Sequence, residues 1–488
     1  MKNFFRVAAA LLAVLLMVPS LASAMGSLSP NFEISAPPEA PDLRPITKSD
    51  RLLIVAPHPD DEALGAGGLL QKALAAGAAV RVVYLTCGDY NELAFILFRK
   101  RLGLSPVVNR EMGKLRQAEG QEAMTHLGLS SEDLVFLGYP DSGLMDIWNA
   151  HWGTQEPFRS RSTRTTEIPY EQAASFGHPH KGEEITADLQ KEIEQFRPTR
   201  ILVTGPFDSH PDHAAAWLFT WAAVLQSKVN PRLELLVYPV HVQNWPFPYG
   251  LHADRWLSIP LRLRGDQARW FSLPLSKDEI RLKRTALDFY KTQQVEGERW
   301  MASFARRNEL FADYPMAVLR RGQWASDQQL LSGSDKEALA LPQDAENKTV
   351  RPISKISYQV ATEGLLVQIV PDQLIDLEIG LYVHIAGFRS DKPFQEMPKL
   401  QLRWLMGNAI RLENQGESFE DPSVTVQFSG ARRAILIPWK VLGDPEYLFV
   451  QTEGQIGWMT TSRTAWQLIR REEINLVPES AVFKKESS

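Results

Sequence analysis

Leu52-Leu53-Ile54-Val55-Ala56-Pro57-His58-Pro59-Asp60-Asp61-Glu62 is the stretch on which the fold turns. A short apolar run, then a turn, then a helical pattern containing Gly65-Ala66-Gly67-Gly68, reads as a buried parallel strand running into a helix. The imidazole and carboxylates then sit just past the carboxyl end of a strand, where open α/β sheets hold their ligands. One His and two Asp within four residues can supply two hard metal ligands and a free base.

The same alternation continues on both sides of this unit. Helix 62–76 ends near Gly77, and Val80–Leu85 is the second strand. Helix 110–126 stops at Gly128, and Leu134–Leu137 is the third strand. Helix 183–196 stops before Pro198, strand Ile201–Thr204 follows, and then come helix 214–226 and strand 233–238. Leu282–Gln294 reads as one further helix. Strands alternating with helices imply a mostly parallel sheet flanked by helices. Polar clusters follow the first four strands, so residues distant in sequence share one sheet edge. The Trp-, Arg- and Ser-rich segment 145–180 reads as an insertion at the rim of that cleft.

The chain has 488 residues, 44% hydrophobic and 23% charged, which is ordinary for a globular protein of more than one domain. A net charge of -5 offers no basic surface for nucleic acid or an anionic membrane. Lys2 and Arg6, the apolar run Val7–Val18 and Ala22-Ser23-Ala24 form a secretory signal peptide over residues 1–24, so the mature chain is expected outside the cytoplasm, periplasmic or released. No later segment has the ~18 apolar residues of a membrane helix. Cys87 is the only cysteine, so there is no internal disulfide and no Cys-based zinc site.

The expected organisation after the leader is an irregular arm (25–49), an α/β domain (50–325), a polar linker (326–349), an all-β sandwich domain (350–475) and a tail (476–488). The β reading rests on short runs such as Leu365–Val370, Ile379–Ile385, Leu400–Trp404, Val424–Phe428, Ala434–Trp439 and Tyr447–Thr452, separated by turn residues.

A second polar cluster, His210-Pro211-Asp212-His213, also follows a strand and opens a helix. His213 is the natural third ligand, and two His with one carboxylate suit Zn²⁺ with a position left for water. The same set accepts Fe²⁺ or Co²⁺. One of Asp60 and Asp61 then binds metal and the other serves as base. His210 is placed to stabilise an oxyanion, with Asp212 fixing its tautomer. Glu62 reads as a supporting residue and Cys87 as a buried small side chain. His151, His178, His180, His241 and His252 read as ordinary core or surface histidines.

Together the two motifs resemble the LmbE-like (PIG-L) family of metal-dependent N-acetylglucosaminyl deacetylases. The likeness extends to Gly67-Gly68, Leu85–Asp89, Arg110-Glu111, Glu119, Ala123, Leu127-Gly128 and Leu137–Asp141. It implies a Rossmann-like fold and a zinc hydrolase acting on an N-acetylated amino sugar in a glycan, glycolipid or glycoconjugate. By position, His58, Asp61 and His213 match metal ligands and Asp60 the general base. His210 matches the oxyanion or leaving-group residue, with Asp212 its partner. Arg110 and Asp141 match substrate contacts. A broader metal-dependent amidase, or a non-catalytic carbohydrate-binding protein with a vestigial site, are the alternatives. The C-terminal region faintly resembles β-sandwich carbohydrate-binding modules through Arg433–Trp439 and Leu442-Gly443. There Trp404, Trp439, Trp458 and Trp466 are either core residues or sugar-stacking faces.

Overall fold

The structure is a computed structural model. It describes residues 39–90, 105–227, 233–264, 268–320, 353–371, 379–404, 410–429, 432–456 and 459–472, with Pro37 and Phe98 besides. The expected leader, linker and tail lie outside the described residues, as does Trp458.

Strand β1 (Arg51–Ala56) is buried over five of its six residues, as its unbroken apolar run requires. It runs parallel to β2 (Ala79–Thr86) on one side. Helix α1 (Asp61–Ala75) connects them and packs Gly65 so tightly on Tyr238 that a Cβ there would come within 2.0 Å of the ring. Helix α2 (Pro106–His126) then leads to β3 (Leu134–Tyr139), parallel to β2. Short α3 (Leu144–Ala150) and the segment to residue 181 precede α4 (Gly182–Phe196).

The chain next returns to the far side of β1 with β4 (Arg200–Thr204), followed by α5 (Pro211–Gln226) and β5 (Glu234–Tyr238). Among the described residues the sheet order is β3-β2-β1-β4-β5-β7-β6, where β6 (Arg269–Pro274) and β7 (Asn308–Asp313) form an antiparallel edge. The connections reverse direction between β1 and β4. That is the topological switch point, where a crevice opens beyond the strands' carboxyl ends.

The expected helix over Leu282–Gln294 is two helices, α6 (Lys277–Leu287) and α7 (Lys291–Ala302). They break around Tyr290, whose fully buried hydroxyl donates to Glu62. Propensity favoured continuity, and tertiary packing overrode it.

The C-terminal region is β-rich and antiparallel. One sheet orders β15 (Thr425–Ser429), β16 (Arg432–Pro438), β10 (Gly364–Pro371) and β9 (Ile353–Val360). Along the other run β14 (Glu417–Phe419), β13 (Ile410–Asn414), β12 (Lys399–Trp404), β11 (Ile379–Phe388), β17 (Tyr447–Ile456), β19 (Gln467–Glu472) and β8 (Ala317–Arg320), with β18 (Met459–Arg463) paired to β17. Leu365, Val367 and Ile437 of the first sheet share a core with Val383, Leu402 and Val450 of the second. Strand β8 precedes residue 325, yet it pairs in parallel with β19. Pro38–Ser488 forms one compact unit. The reason lies in an aromatic seam. The Trp148 ring lies 5.2 Å from Phe449 and 5.6 Å from Phe394, and Lys399 Nζ sits 4.2 Å over the Trp152 ring. Trp466 is buried in the same seam. Trp404 is buried in the C-terminal core, and Trp439 packs under Arg471 while its Nε1 donates to the Ala361 carbonyl. No described helix is long and apolar enough to cross a membrane.

Candidate metal centre and catalytic cavity

The turn after β1 delivers His58 and Asp61, and the turn after β4 delivers His213 on the first turn of α5. His58 Nδ1 and Asp61 Oδ2 are 3.2 Å apart. His213 Nε2 lies 3.3 Å from that carboxylate oxygen and 3.3 Å from His58 Nδ1. Three ligands held at ~2.0–2.2 Å in tetrahedral geometry stand about 3.3–3.6 Å from one another. The triangle therefore fits one small divalent ion.

The far nitrogens support the same assignment. His58 Nε2 meets Asp212 Oδ2 and Asp141 Oδ1, each at 3.3 Å, and His213 Nδ1 meets Asp208 Oδ2 at 3.1 Å. A carboxylate on the outer nitrogen turns the inner lone pair toward a metal. Burial works to raise the Asp61 carboxyl, and the His213 and His58 rings overcome it and hold it well below the usual carboxylate range. His213 is pushed up to about 10, the charges of Asp208 and Asp61 outweighing burial. Three buried groups competing this strongly for protons form a donor set suited to a cation. Among the described residues three other groupings are close enough to bind one: His58 with His210 and His213, Asp61 with His213 and His241, and His58 with Asp141 and Asp212. The first set has the short edges and the carboxylate-backed rings, and His210 and His241 flank it.

Asp60 caps α1 with φ 141°, a region that side-chain-bearing residues rarely occupy and that costs ~1–3 kcal/mol. Its backbone N–H donates to Glu62 Oε2 at 3.1 Å, and Arg116 Nη2 donates to its Oδ2 at 3.2 Å. These contacts hold the strained turn. Burial lifts the Asp60 carboxyl to about 7 against the pull of Arg116. Glu62 rises to about 8 through burial, although the Tyr290 hydroxyl opposes it.

His210 is the N-cap of α5, and its Nδ1 accepts the Asp212 backbone N–H at 3.3 Å. Burial first, then charge on His58 and His213, lowers it to about 4. A neutral ring whose Nδ1 accepts carries its proton on Nε2. The expected Asp212–His210 side-chain pairing is not formed. The Asp212 carboxylate instead accepts from Ser142 N at 2.6 Å and Leu144 N at 3.0 Å, and faces His58. Two backbone N–H groups of the loop after β3 and the His58 ring take up both of its oxygens.

His58, Asp60, Asp141 and His210 line one cavity of about 420 Å³, with Arg116, His241 and Trp300. Arg110 is not among its lining residues. Six positions further along α2, Arg116 faces inward from the buried stripe that also holds Asn109, Met112 and Gly120. That stripe also holds Glu119, so its mixed polarity left little local signal for Arg116. Asp208 had a weak one, lying just ahead of the second motif. His241 had none in its local pattern, yet its ring is 4.8 Å from His213. His151, His178, His180 and His252 do not line the cavity. Cys87 is buried, and Gln117 donates to its sulfur. Residues within 145–180 brace the rim: the Tyr170 hydroxyl and Ser162 Oγ donate to Asp89, and Arg161 donates to the Ser142 carbonyl at 2.6 Å.

This is an α/β protein with a two-histidine, one-carboxylate donor set at the switch point of its sheet. Residues 53–224 match the PIG-L family, described as GlcNAc-PI de-N-acetylase. A 1D-myo-inositol 2-acetamido-2-deoxy-alpha-D-glucopyranoside deacetylase of Mycobacteroides abscessus is 29% identical over 180 residues, 36% of this chain and 55% of the relative. The protein of the same name from Actinosynnema mirum is 30% identical over 199 residues, 38% and 59% respectively. The chain thus spans a little over half the length of these relatives. Among solved structures, N,N'-diacetylchitobiose deacetylase from Pyrococcus horikoshii aligns with 55% of this chain and 86% of its own at 19% identity and TM-score 0.35.

Proposed function

We propose that this chain is an exported metal-dependent hydrolase that removes the N-acetyl group from an amino sugar in a glycan, glycolipid or glycoconjugate. The observation that carries the reading is the donor triangle of His58, Asp61 and His213 beside a cavity lined by His58 and by Asp60, a carboxylate outside the triangle that Arg116 holds in place. The PIG-L match over residues 53–224 supports it.

A divalent ion held there, which we read as Zn²⁺ with Fe²⁺ or Co²⁺ as fitting alternatives, would supply the positive charge that polarises an amide carbonyl and eases deprotonation of water. The chain supplies the rest. Asp60, held by Arg116 and lifted toward neutrality by burial, accepts the proton of the attacking water. His210 presents Nε2–H to the developing oxyanion, or hands that proton to the departing amine. Acetate and the free amino sugar are the products. Asp141, anchored by His58 and by the Tyr90 N–H at 2.9 Å, stands at the wall as a substrate contact. Export rests on the leader pattern in residues 1–24. We read the C-terminal region as a sandwich, since its two sheets share one core.

Acetate release from N-acetylglucosaminides by the metal-reconstituted protein tests this reading. Asp60→Asn is expected to lower kcat by ~10²–10⁴-fold while leaving metal bound. Undiminished turnover in that variant would remove Asp60 as the base.

A further inference from the structure

Beside the catalytic cavity lies a second one, of about 460 Å³, inside the ~300–1,000 Å³ range of ligand sites. The two share His241 and Trp300. Those rings stack at 5.0 Å with 10° between their planes, a flat slab that forms a common wall.

The other walls are unlike those of a structural void. Trp245 and Tyr249 bring aromatic surface, and Gln243 and Asn244 bring planar amides. The Trp245 indole N–H is already committed to the Ser258 carbonyl at 2.9 Å, and Tyr249 is 39% exposed. Aromatic surface for the apolar face of a ring, with amides for its hydroxyls, is the chemistry that recognises a sugar. The last wall comes from the C-terminal β region, through Arg463, Thr464 and Ala465. Arg463 Nη2 donates to the Asp208 carbonyl at 2.7 Å, and the Trp466 N–H to the Pro206 carbonyl at 3.2 Å. Asp208 is the residue that backs His213. The C-terminal region is thereby fastened to the loop that builds the metal centre.

We propose that this cavity is a second sugar subsite completed by the C-terminal β region, so that the chain acts on an N-acetylated amino sugar carrying at least one further glycosyl unit. The proposal rests on the deacetylase reading and adds to it the size of the substrate. The residues that complete the subsite lie outside the matched span 53–224.

The test compares N-acetylglucosamine, N,N'-diacetylchitobiose and triacetylchitotriose as probes with the metal-reconstituted full chain. Acetate release gives kcat/KM for each, and calorimetry with Asp60→Asn gives binding without turnover. The disaccharide is expected to exceed the monosaccharide by about tenfold or more in both measurements. Tyr249→Ala, an exposed position, is expected to cut that preference about five- to tenfold with Tm unchanged, and Asn244→Gly, which keeps the left-handed backbone at φ 56°, to do the same. Equal kcat/KM and equal affinity for mono- and disaccharide would overturn the subsite. If no probe releases acetate, the deacetylase reading fails. Calorimetry then decides the subsite alone: a disaccharide preference sustains it, and equal or absent binding ends it.

Discussion

At the scale of single residues, the site is an arrangement of carboxylates around two imidazoles. Asp208 was not prominent in the sequence, yet it orients His213 and accepts the backbone N–H groups of His210 and His241 at 2.9 and 3.0 Å. Asp208→Asn keeps the shape and removes the charge. Metal affinity, read by competition with a chromogenic chelator, should fall ~10–100-fold, and an unchanged affinity would deny Asp208 that role. Away from that site, His180 is buried with Nδ1 against the Phe158 carbonyl at 2.9 Å. Burial lowers it to about 4. Its unfolded value is ~6.5, so between those values the unfolded chain binds more protons than the native one. The stability tied to a neutral His180 is complete above pH ~6.5 and declines as pH falls toward 4, by roughly 3 kcal/mol in all. Denaturant titrations of wild type and His180→Gln across pH 4–7 should diverge by that amount, with the variant flatter. Parallel curves would contradict the assignment.

At the scale of elements, the parallel sheet was legible because each strand is a short unbroken apolar run. β1 falls on Arg51–Ala56, as its run of residues indicates. The antiparallel edge of β6 and β7 was not legible, nor were several C-terminal strands, such as β9 and β13. Their hydrophobic runs are short or broken, and pairing partners supply what the pattern lacks. The break between α6 and α7 was hidden for the opposite reason. Local propensity is helical there, and the break coincides with contacts to positions far apart in sequence, Tyr290 to Glu62 and Thr292 to Glu119. The two His-Pro-Asp motifs are local and so are visible in the sequence. Arg116 and His241 come from elsewhere in the chain, so their approach to the cavity follows from packing. Gly65 offers a test of α1 packing. Gly→Ala in a helix interior ordinarily gains up to ~1 kcal/mol. Here the new Cβ meets the fully buried Tyr238 ring at 2.0 Å, so Gly65→Ala should instead destabilise by ~1–3 kcal/mol. A raised Tm would show that α1 sits farther from β5.

At the scale of the whole molecule, the C-terminal β region is a structural partner of the α/β part. Phe388, Phe394, Phe449 and Trp466 belong to the same apolar cluster as Trp148, Trp152 and Trp217. Strand β8 crosses into the C-terminal sheet before the chain reaches residue 325. An aromatic seam of this kind couples unfolding of the two parts, so calorimetry should give one cooperative transition. Trp148→Ala should lower stability by ~3–5 kcal/mol while keeping the transition single. Two separated transitions in the wild type would mean that the seam contributes little.

The central claim is that Asp60 and Asp61, adjacent in sequence, do different work: Asp61 holds the ion and Asp60 stays free beside it. Zn²⁺ titration into metal-free Asp61→Asn and Asp60→Asn, read by calorimetry, separates them. Asp60→Asn should bind one ion per chain with near wild-type affinity, and Asp61→Asn should bind at least ~100-fold more weakly. The reverse order, with zinc lost from Asp60→Asn and kept by Asp61→Asn, would contradict the account.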